Sequence, residues 1–364
     1  MSVFNVKNTE WKTGEHSLFL GQQPALYDSV NVRYPKIFSI YKLQKSIDWS
    51  EDEINLEQSR LDLLNCPKST YDIMLETIAF QWEADSVASR AIAPLLAPFV
   101  TNSEYWAAVQ KVSEIEVLHA LTYSEIVRQC VLDPNEVFSR VMYNNNVLDR
   151  LNVVAAVFED LRITGAKYSL GLVDNNQSTY NVIFKAIVAL YCLERLQFVA
   201  SFAATFAIVE QGYFQGIGKL VQKIMQDEIG CHAELDRLVI EIELKTERGQ
   251  IAMTECYDDI VNIITCIIDS EKSWNRYLFS DGRSIVGLNV SLLDEWVDYN
   301  ASAMAETFMP SSFVIDSPKS NPLKYMDNWL DINKFQNAQQ EADGNNYALN
   351  TIVNNIDDLE MLDF

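Results

Sequence analysis

Two of the chain's three histidines each follow a glutamate within one helical turn: Glu116-Val117-Leu118-His119 and Glu228-Ile229-Gly230-Cys231-His232. At about 100° per residue, offsets of three and four put carboxylate and imidazole on one helix face, where they can share a metal ion. The third histidine, His16, lies in an irregular N-terminal stretch. One Glu-x-x-His is a weak signal, because surface pairs with that spacing are common. Two such pairs from three histidines is a stronger one. Acids placed where acids should be avoided add to it. Glu194 sits between the apolar runs Ala186–Leu193 and Phe198–Phe202. A helix apolar on nearly all sides is buried, and a buried carboxylate needs a counter-charge, a proton or a metal. Arg195 is adjacent, but neighbours in sequence point different ways, so only an arginine from elsewhere is the plain alternative. Asp85 lies in a similar helix, just ahead of Pro94 and Pro98, where breaks are expected.

These residues fall into two sets: Asp85 with Glu116 and His119, and Glu194 with Glu228 and His232. The first acid precedes the second by 31 residues in one set and 34 in the other. Each set offers a lone carboxylate on one helix and a Glu/His pair on a following helix. Four carboxylates and two histidines from four helices is the pattern of a ferritin-like di-iron or di-manganese bundle. Hard oxygen donors with imidazole suit iron or manganese, and the lack of nearby thiolate pairs argues against structural zinc. Tyr123 extends the first face, at i+7 from Glu116. Core packing accounts for such a tyrosine; beside an oxygen-activating metal pair it is also a side chain that can be oxidised to a phenoxyl radical.

The elements that must position these groups are helices. After Pro134 no proline occurs until Pro310, and only seven glycines lie between 135 and 280. Helical patterns run over about 33–46, 53–65, 69–92, 102–130, 134–163, 179–210, 213–243, 249–278 and 289–308. Asp281-Gly282 marks a turn. The expected architecture is all-α: a ferritin-like bundle with the di-metal site in its core, extra peripheral helices and a mobile C-terminal tail. Its parts are an irregular segment 1–30 that wraps the surface, a helical domain 31–335 and a flexible acidic tail 336–364. The last 24 residues hold six acids and no Lys or Arg. Yet Ile356, Leu359, Met361, Leu362 and Phe364 are apolar, which a pure solubility tail does not need. They suit a segment that orders on a partner with an apolar groove and a basic rim.

Composition narrows the classes. Of 364 residues, 48% are hydrophobic, enough for a sizeable core. Lys and Arg number 28 against 51 acids, a net charge of −23 that repels phosphate backbones and anionic membranes. No nucleic-acid partner is expected. The apolar stretch 186–209 is interrupted by Glu194, Arg195 and Gln197, so no membrane span is expected. Six cysteines without a Cys-x-x-Cys pair, and no secretory signal, point to reduced thiols in the cytoplasm.

Several stretches together resemble the radical-generating small (beta) subunit of class I ribonucleotide reductase, from about Trp49 to Phe364. They are Asp48-Trp49-Ser50, Ala84-Asp85-Ser86, Glu116–Tyr123, Leu193–Phe198 and Asp227-Glu228. Tyr277–Gly282, Ile285–Asn289, Asn321-Pro322, Trp329 and the acidic end 355–364 belong with them. The resemblance implies that Asp85, Glu116 and His119 bind one metal and Glu194, Glu228 and His232 the other. The cofactor is then dinuclear iron, two per subunit, with manganese open as the alternative. Tyr123 would hold a stable radical. Trp49 and Asp227 would form a relay from the metals to the surface, and Tyr347 the redox tyrosine of the tail. Phe198, Ser201 and Phe202 would line the pocket by the metals. The implied activity is that of a ribonucleoside-diphosphate reductase: O2 activation yields a tyrosyl radical, which the large (alpha) subunit uses to make deoxyribonucleotides. The implied assembly is a homodimer that docks the large subunit through its tail.

The second motif departs from the family's Glu-x-x-His: Cys231 stands third and His232 fourth after Glu228. A local π-bulge would keep His232 on the metal face. Cys231 is the competing ligand, disfavoured because a thiolate is oxidised beside activated oxygen. Two rivals remain: another di-iron oxidase of the desaturase or hydroxylase type, which has no use for the tail or relay residues, and a ferritin-like storage protein, which needs no radical tyrosine.

Overall fold

The computed structural model describes residues 5, 7–10, 17–22, 27 and 29–331. Within them the chain is helical, and β pairing is limited to two isolated bridges, Phe19 with Val100 and Ile285 with Leu288. The first helices are α1 (Pro35–Ser46), α2 (Glu57–Asn65), α3 (Lys68–Leu96), α4 (Ser103–Cys130), α5 (Asn135–Tyr143), α6 (Asn145–Leu148) and α7 (Asn152–Ser169). Then come α8 (Gln177–Cys192), α9 (Val199–Val209), α10 (Gln215–Asp227), α11 (Ala233–Glu243), α12 (Glu247–Glu255), α13 (Tyr257–Leu278), α14 (Val290–Ala305) and α15 (Met326–Trp329). No described helix is long and apolar enough to cross a membrane. Residues 1–330 form one compact unit; of the second, 331–364, only Asp331 is described.

Four helical rods build the core: α3, α4, α8 running into α9, and α10 running into α11. The last two are each joined by a π-turn, Leu193–Gln197 and Glu228–His232. Rods α3 and α4 pack along much of their length, α9 lies on α3, α10 on α4, and the two π-turns face each other. Every residue of the largely apolar α9 is buried, as expected of a helix enclosed by others. Polar side chains set where the helices start. Asn102 caps α4 on Tyr105 N, Asn176 caps α8 on Thr179 N, and Asn289 caps α14 on Leu292 N.

The structure departs from the sequence pattern in four places. The run 134–163 is three helices, because Asn144 is extended and caps Asn146 while its amide donates to Glu76 and Tyr277. The run 249–278 breaks at Cys256, between α12 and α13. Helix α3 continues through Pro94 to Leu96. In the first 30 residues, Leu18, Phe19 and Leu20 are buried, and the backbone bonds Leu20 N to Phe99 O and Thr101 N to Leu18 O tie them down. Three consecutive large apolar residues explain why this stretch enters the core. At the expected turn, Asp281 and Gly282 both take positive φ (56° and 77°), a backbone region that aspartate and glycine tolerate best.

A candidate metal centre in the bundle core

Asp85 comes from α3, and Glu116, His119 and Tyr123 come from one face of α4. Glu194 stands in the first π-turn, and Glu228 and His232 open and close the second. All seven are at most 1% exposed. In an α-helix four residues overshoot a full turn by about 40°. The wider π-turn removes that overshoot, so Glu228 and His232 project together despite the extra residue. Their contact is 3.2 Å, from Glu228 Oε2 to His232 Nδ1.

The donors converge as two quartets. Asp85, Glu116, His119 and Glu228 each offer an atom within 4.8 Å of the others, and so do Glu116, Glu194, Glu228 and His232. Glu116 and Glu228 belong to both, so each would be within reach of both ions if two were held. Cys231 belongs to neither quartet. Burial pushes its thiol up to about 12, which keeps it protonated.

The buried polar atoms test the fit. Both oxygens of Asp85 and of Glu116, one oxygen each of Glu194 and Glu228, and His119 Nδ1 have no hydrogen bond. His119 Nδ1 is 2.9 Å from Glu228 Oε1, and His232 Nδ1 is 2.9 Å from Glu116 Oε1. These atoms approach side by side, without the alignment of a hydrogen bond. Lone pairs aimed at a common space, in a dry core where each orphan is costly, fit a metal pair. Charge fits too: four carboxylates balance two divalent cations when both imidazoles are neutral. Without that balance, burial pushes the Asp85 carboxyl well up, with the Glu116 and Glu228 charges adding to it. Burial pushes Glu228 well up likewise, Glu116 adding. Burial alone would depress His232; the surrounding carboxylates, Glu228 first, override it and raise the imidazole well above its usual range.

Trp49 and Asp227 are separated by 178 positions in sequence yet meet at this site. Trp49 Nε1 donates to Asp227 Oδ2 at 2.8 Å. The same oxygen lies 3.1 Å from His119 Nε2. Half-buried Trp49 also stacks on His119 with ring centroids 6.0 Å apart. A continuous line therefore runs from His119 through Asp227 to an indole near the surface. Tyr123 Oη is buried without a hydrogen bond, and burial, with Asp85 next, pushes the phenol well up. Phe198 and Phe202 stack at 5.7 Å beside Phe80. Tyr347 lies outside the described residues, as do His16 and the rest of the tail.

Sequence reasoning missed a second buried cluster. Arg150 is sandwiched between Phe80 and Trp274, its guanidinium carbon 3.3 and 4.4 Å from their centroids. It donates to Glu271 at 2.9 and 2.6 Å, to Ser201 Oγ at 3.1 Å and to Gln197 O at 2.8 Å. Gln197 Nε2 returns a bond to Arg150 O. The arginine thus clamps the end of the π-turn that carries Glu194. No local pattern marks it. Asp236, by contrast, was findable: it repeats the i+4 step from Glu228 to His232 once more along the chain.

A buried cluster of carboxylates and histidines inside a four-rod helical bundle defines a ferritin-like di-metal carboxylate protein. The model of the family "Ribonucleotide reductase, small chain" matches residues 27–322, and the chain belongs to that family. It is 26% identical over 373 residues to the ribonucleoside-diphosphate reductase subunit beta of Buchnera aphidicola from Schizaphis graminum, covering 98% of this chain and 97% of that one. It is also 26% identical to the ribonucleoside-diphosphate reductase 1 subunit beta of Salmonella typhimurium, with 95% of each covered. Among solved structures, the ribonucleotide reductase R2 subunit from Clostridium botulinum shares the fold, with TM-score 0.78, 20% identity, and 91% and 98% coverage. So does dimanganese(II)-NrdF from Streptococcus sanguinis, with TM-score 0.67, 13% identity, and 84% and 100% coverage.

Proposed function

We propose that this chain is the radical-generating subunit of a ribonucleoside-diphosphate reductase, working with a large catalytic subunit. The observation that carries the reading is the pair of donor quartets sharing Glu116 and Glu228, with Tyr123 on the same face of α4. Asp85, Glu116, His119, Glu194, Glu228 and His232 would hold two metal ions, of iron or of manganese. Bound there, the metal pair supplies oxidising power drawn from O2, which no protein side chain offers. Tyr123 would pass an electron to the metal pair and its Oη proton to the neighbouring carboxylates, Asp85 first, and would store the radical in a place water does not reach. Asp227 keeps His119 in one tautomer through Nε2 and ties it to Trp49, so that the line is continuous for electron and proton movement. Phe80, Phe198 and Phe202 keep the surroundings apolar. The tail, with Tyr347, carries the path onward to the partner, and a homodimer is part of the same reading.

The test is the visible and electron paramagnetic resonance spectrum of the full-length chain after anaerobic Fe(II), or Mn(II), and then O2. A tyrosyl doublet is expected. Metal oxidation without any radical would point to another oxidase, and assembly into a shell to a storage protein. A second expectation concerns the tail. Removing the last ~20 residues leaves the radical intact and reduces turnover with the large subunit to background, because its apolar and acidic side chains would supply the contact with the partner. A synthetic peptide of residues 355–364 competes with the whole subunit. Normal turnover by the truncated chain would remove both the docking role and the relay role of Tyr347.

A further inference from the structure

The two histidines of the centre are supported unequally. Asp227 Oδ2 stands 3.1 Å from His119 Nε2, the usual way a carboxylate fixes a metal-binding imidazole. His232 presents Nδ1 to Glu116, Glu194 and Glu228. Its Nε2 is buried with no hydrogen bond. An imidazole whose outer nitrogen is unsupported is free to choose the wrong tautomer and to rotate. Such a ligand weakens the metal it holds.

An internal cavity lies against this imidazole. His232, Asp236, Tyr105 and Glu194 supply its polar wall, and aliphatic side chains close the rest. It has about 10 Å³ for the centre of a water-sized sphere, which is room for about one water. Tyr105 Oη is a second buried donor with no hydrogen bond. Asp236 is 3% exposed and one helical turn beyond His232 on the same face. Two donors and a carboxylate around a one-water space make the two to four polar partners that a buried water needs. Burial, with the Asp236 charge next, pushes the Tyr105 phenol well up, so it keeps the proton it would donate. Burial, with the Glu194 charge next, pushes the Asp236 carboxyl well up, and the His232 imidazole opposes this.

We propose that Asp236 is a positioning residue for His232, acting through one water held between His232 Nε2, Tyr105 Oη and Asp236. The inference rests on the reading of His232 as a metal ligand. The imidazole donates its Nε2 proton to the water, and the water donates to a carboxyl oxygen of Asp236. Tyr105 donates its hydroxyl proton to the same water. That fixes the tautomer with the Nδ1 lone pair aimed at the metal. Asp236 thus does for the second ion, at one water's remove, what Asp227 does for the first by direct contact.

Anaerobic calorimetric titration of the full-length chain with Mn(II) tests this, alongside Asp236→Leu, Asp236→Asn and Tyr105→Phe. The wild type is expected to bind two ions. Asp236→Leu weakens one of them by about tenfold or more and leaves the other as it was. Asp236→Asn, whose amide oxygen accepts the same bond, restores most of the loss. Tyr105→Phe falls between. The metal-free Asp236→Leu chain melts no lower than wild type, because it loses a buried carboxyl rather than a packed group. If Asp236→Leu binds both ions as tightly as wild type, the proposal is overturned and the metal reading stands. If its metal-free melting temperature falls by several degrees and both ions weaken together, Asp236 is structural only, which also overturns it. A wild type that binds no Mn(II) pair overturns the metal reading, and this proposal falls with it.

Discussion

Tyr123→Phe is expected to bind the same two metal ions as wild type and to give no tyrosyl doublet on exposure to O2. Reductase turnover with the large subunit should fall at least about a thousandfold, the scale on which removing a group that reacts acts. The reasons are geometric. Tyr123 shares the inward face of α4 with Glu116 and His119, is fully buried, and has no hydrogen bond on its hydroxyl. Phenylalanine fills the same space without the hydroxyl, and in the metal-free chain it relieves an unpaired buried polar atom whose cost is about 1–3 kcal/mol. The melting temperature of the metal-free variant should therefore hold or rise. Metal analysis, the spectrum and a turnover assay on one sample separate the cases. A variant that keeps the wild-type radical and full turnover would place the radical elsewhere.

Arg150→Met is expected to be the most destabilising single change near the site. It strands Glu271, which is fully buried, and breaking a buried pair from one side costs about 3–5 kcal/mol. For a chain of this length that lowers the melting temperature by roughly 5 °C. Burial depresses the arginine's pKa, and burial raises the Glu271 carboxyl to about 7 even with the guanidinium opposing it. With the arginine gone the carboxyl rises further. A carboxyl that holds its proton only in the folded chain favours the fold at low pH, and that advantage is lost as pH rises through the folded-state value. The variant should thus lose less stability at pH 6 than at pH 8. Adding Glu271→Leu removes the stranded charge and should recover most of the loss. Thermal denaturation at the two pH values measures all three chains. A loss under about 1 kcal/mol at pH 8 would mean that the clamp on the Glu194 turn contributes little.

The amino-acid sequence by itself determined the helices and the faces they show to the core. Side chains on one helix face recur at three, four or seven residues, so Glu116, His119, Tyr123, Glu228 and His232 could be sorted by face from numbering alone. Glu194 was legible because a charge inside an apolar run has no solvent to face. Even the π-turn at Glu228–His232 had a trace, one residue too many for a plain helical turn. The limits were local competition. The Asn144 side chain accepts from the backbone N–H of Asn146 and ends a helix that hydrophobic period alone would continue.

Only the tertiary structure decided which groups meet across the bundle. Nothing in a one-dimensional pattern says that Glu116 and Glu228 are shared by both quartets. Nor does it say that Trp49 reaches Asp227, or that Arg150 reaches Glu271 across 121 positions. Such pairings depend on how rods pack, and on the widened turns that rotate a side chain by a few tens of degrees. Asp236 stood in plain helical register with His232, but its meaning needed the cavity that Tyr105, from another helix, closes. Periodicity fixes what one helix offers, because each residue advances by a constant angle. What two helices do together is set by side-chain volume at their contact, which period does not encode.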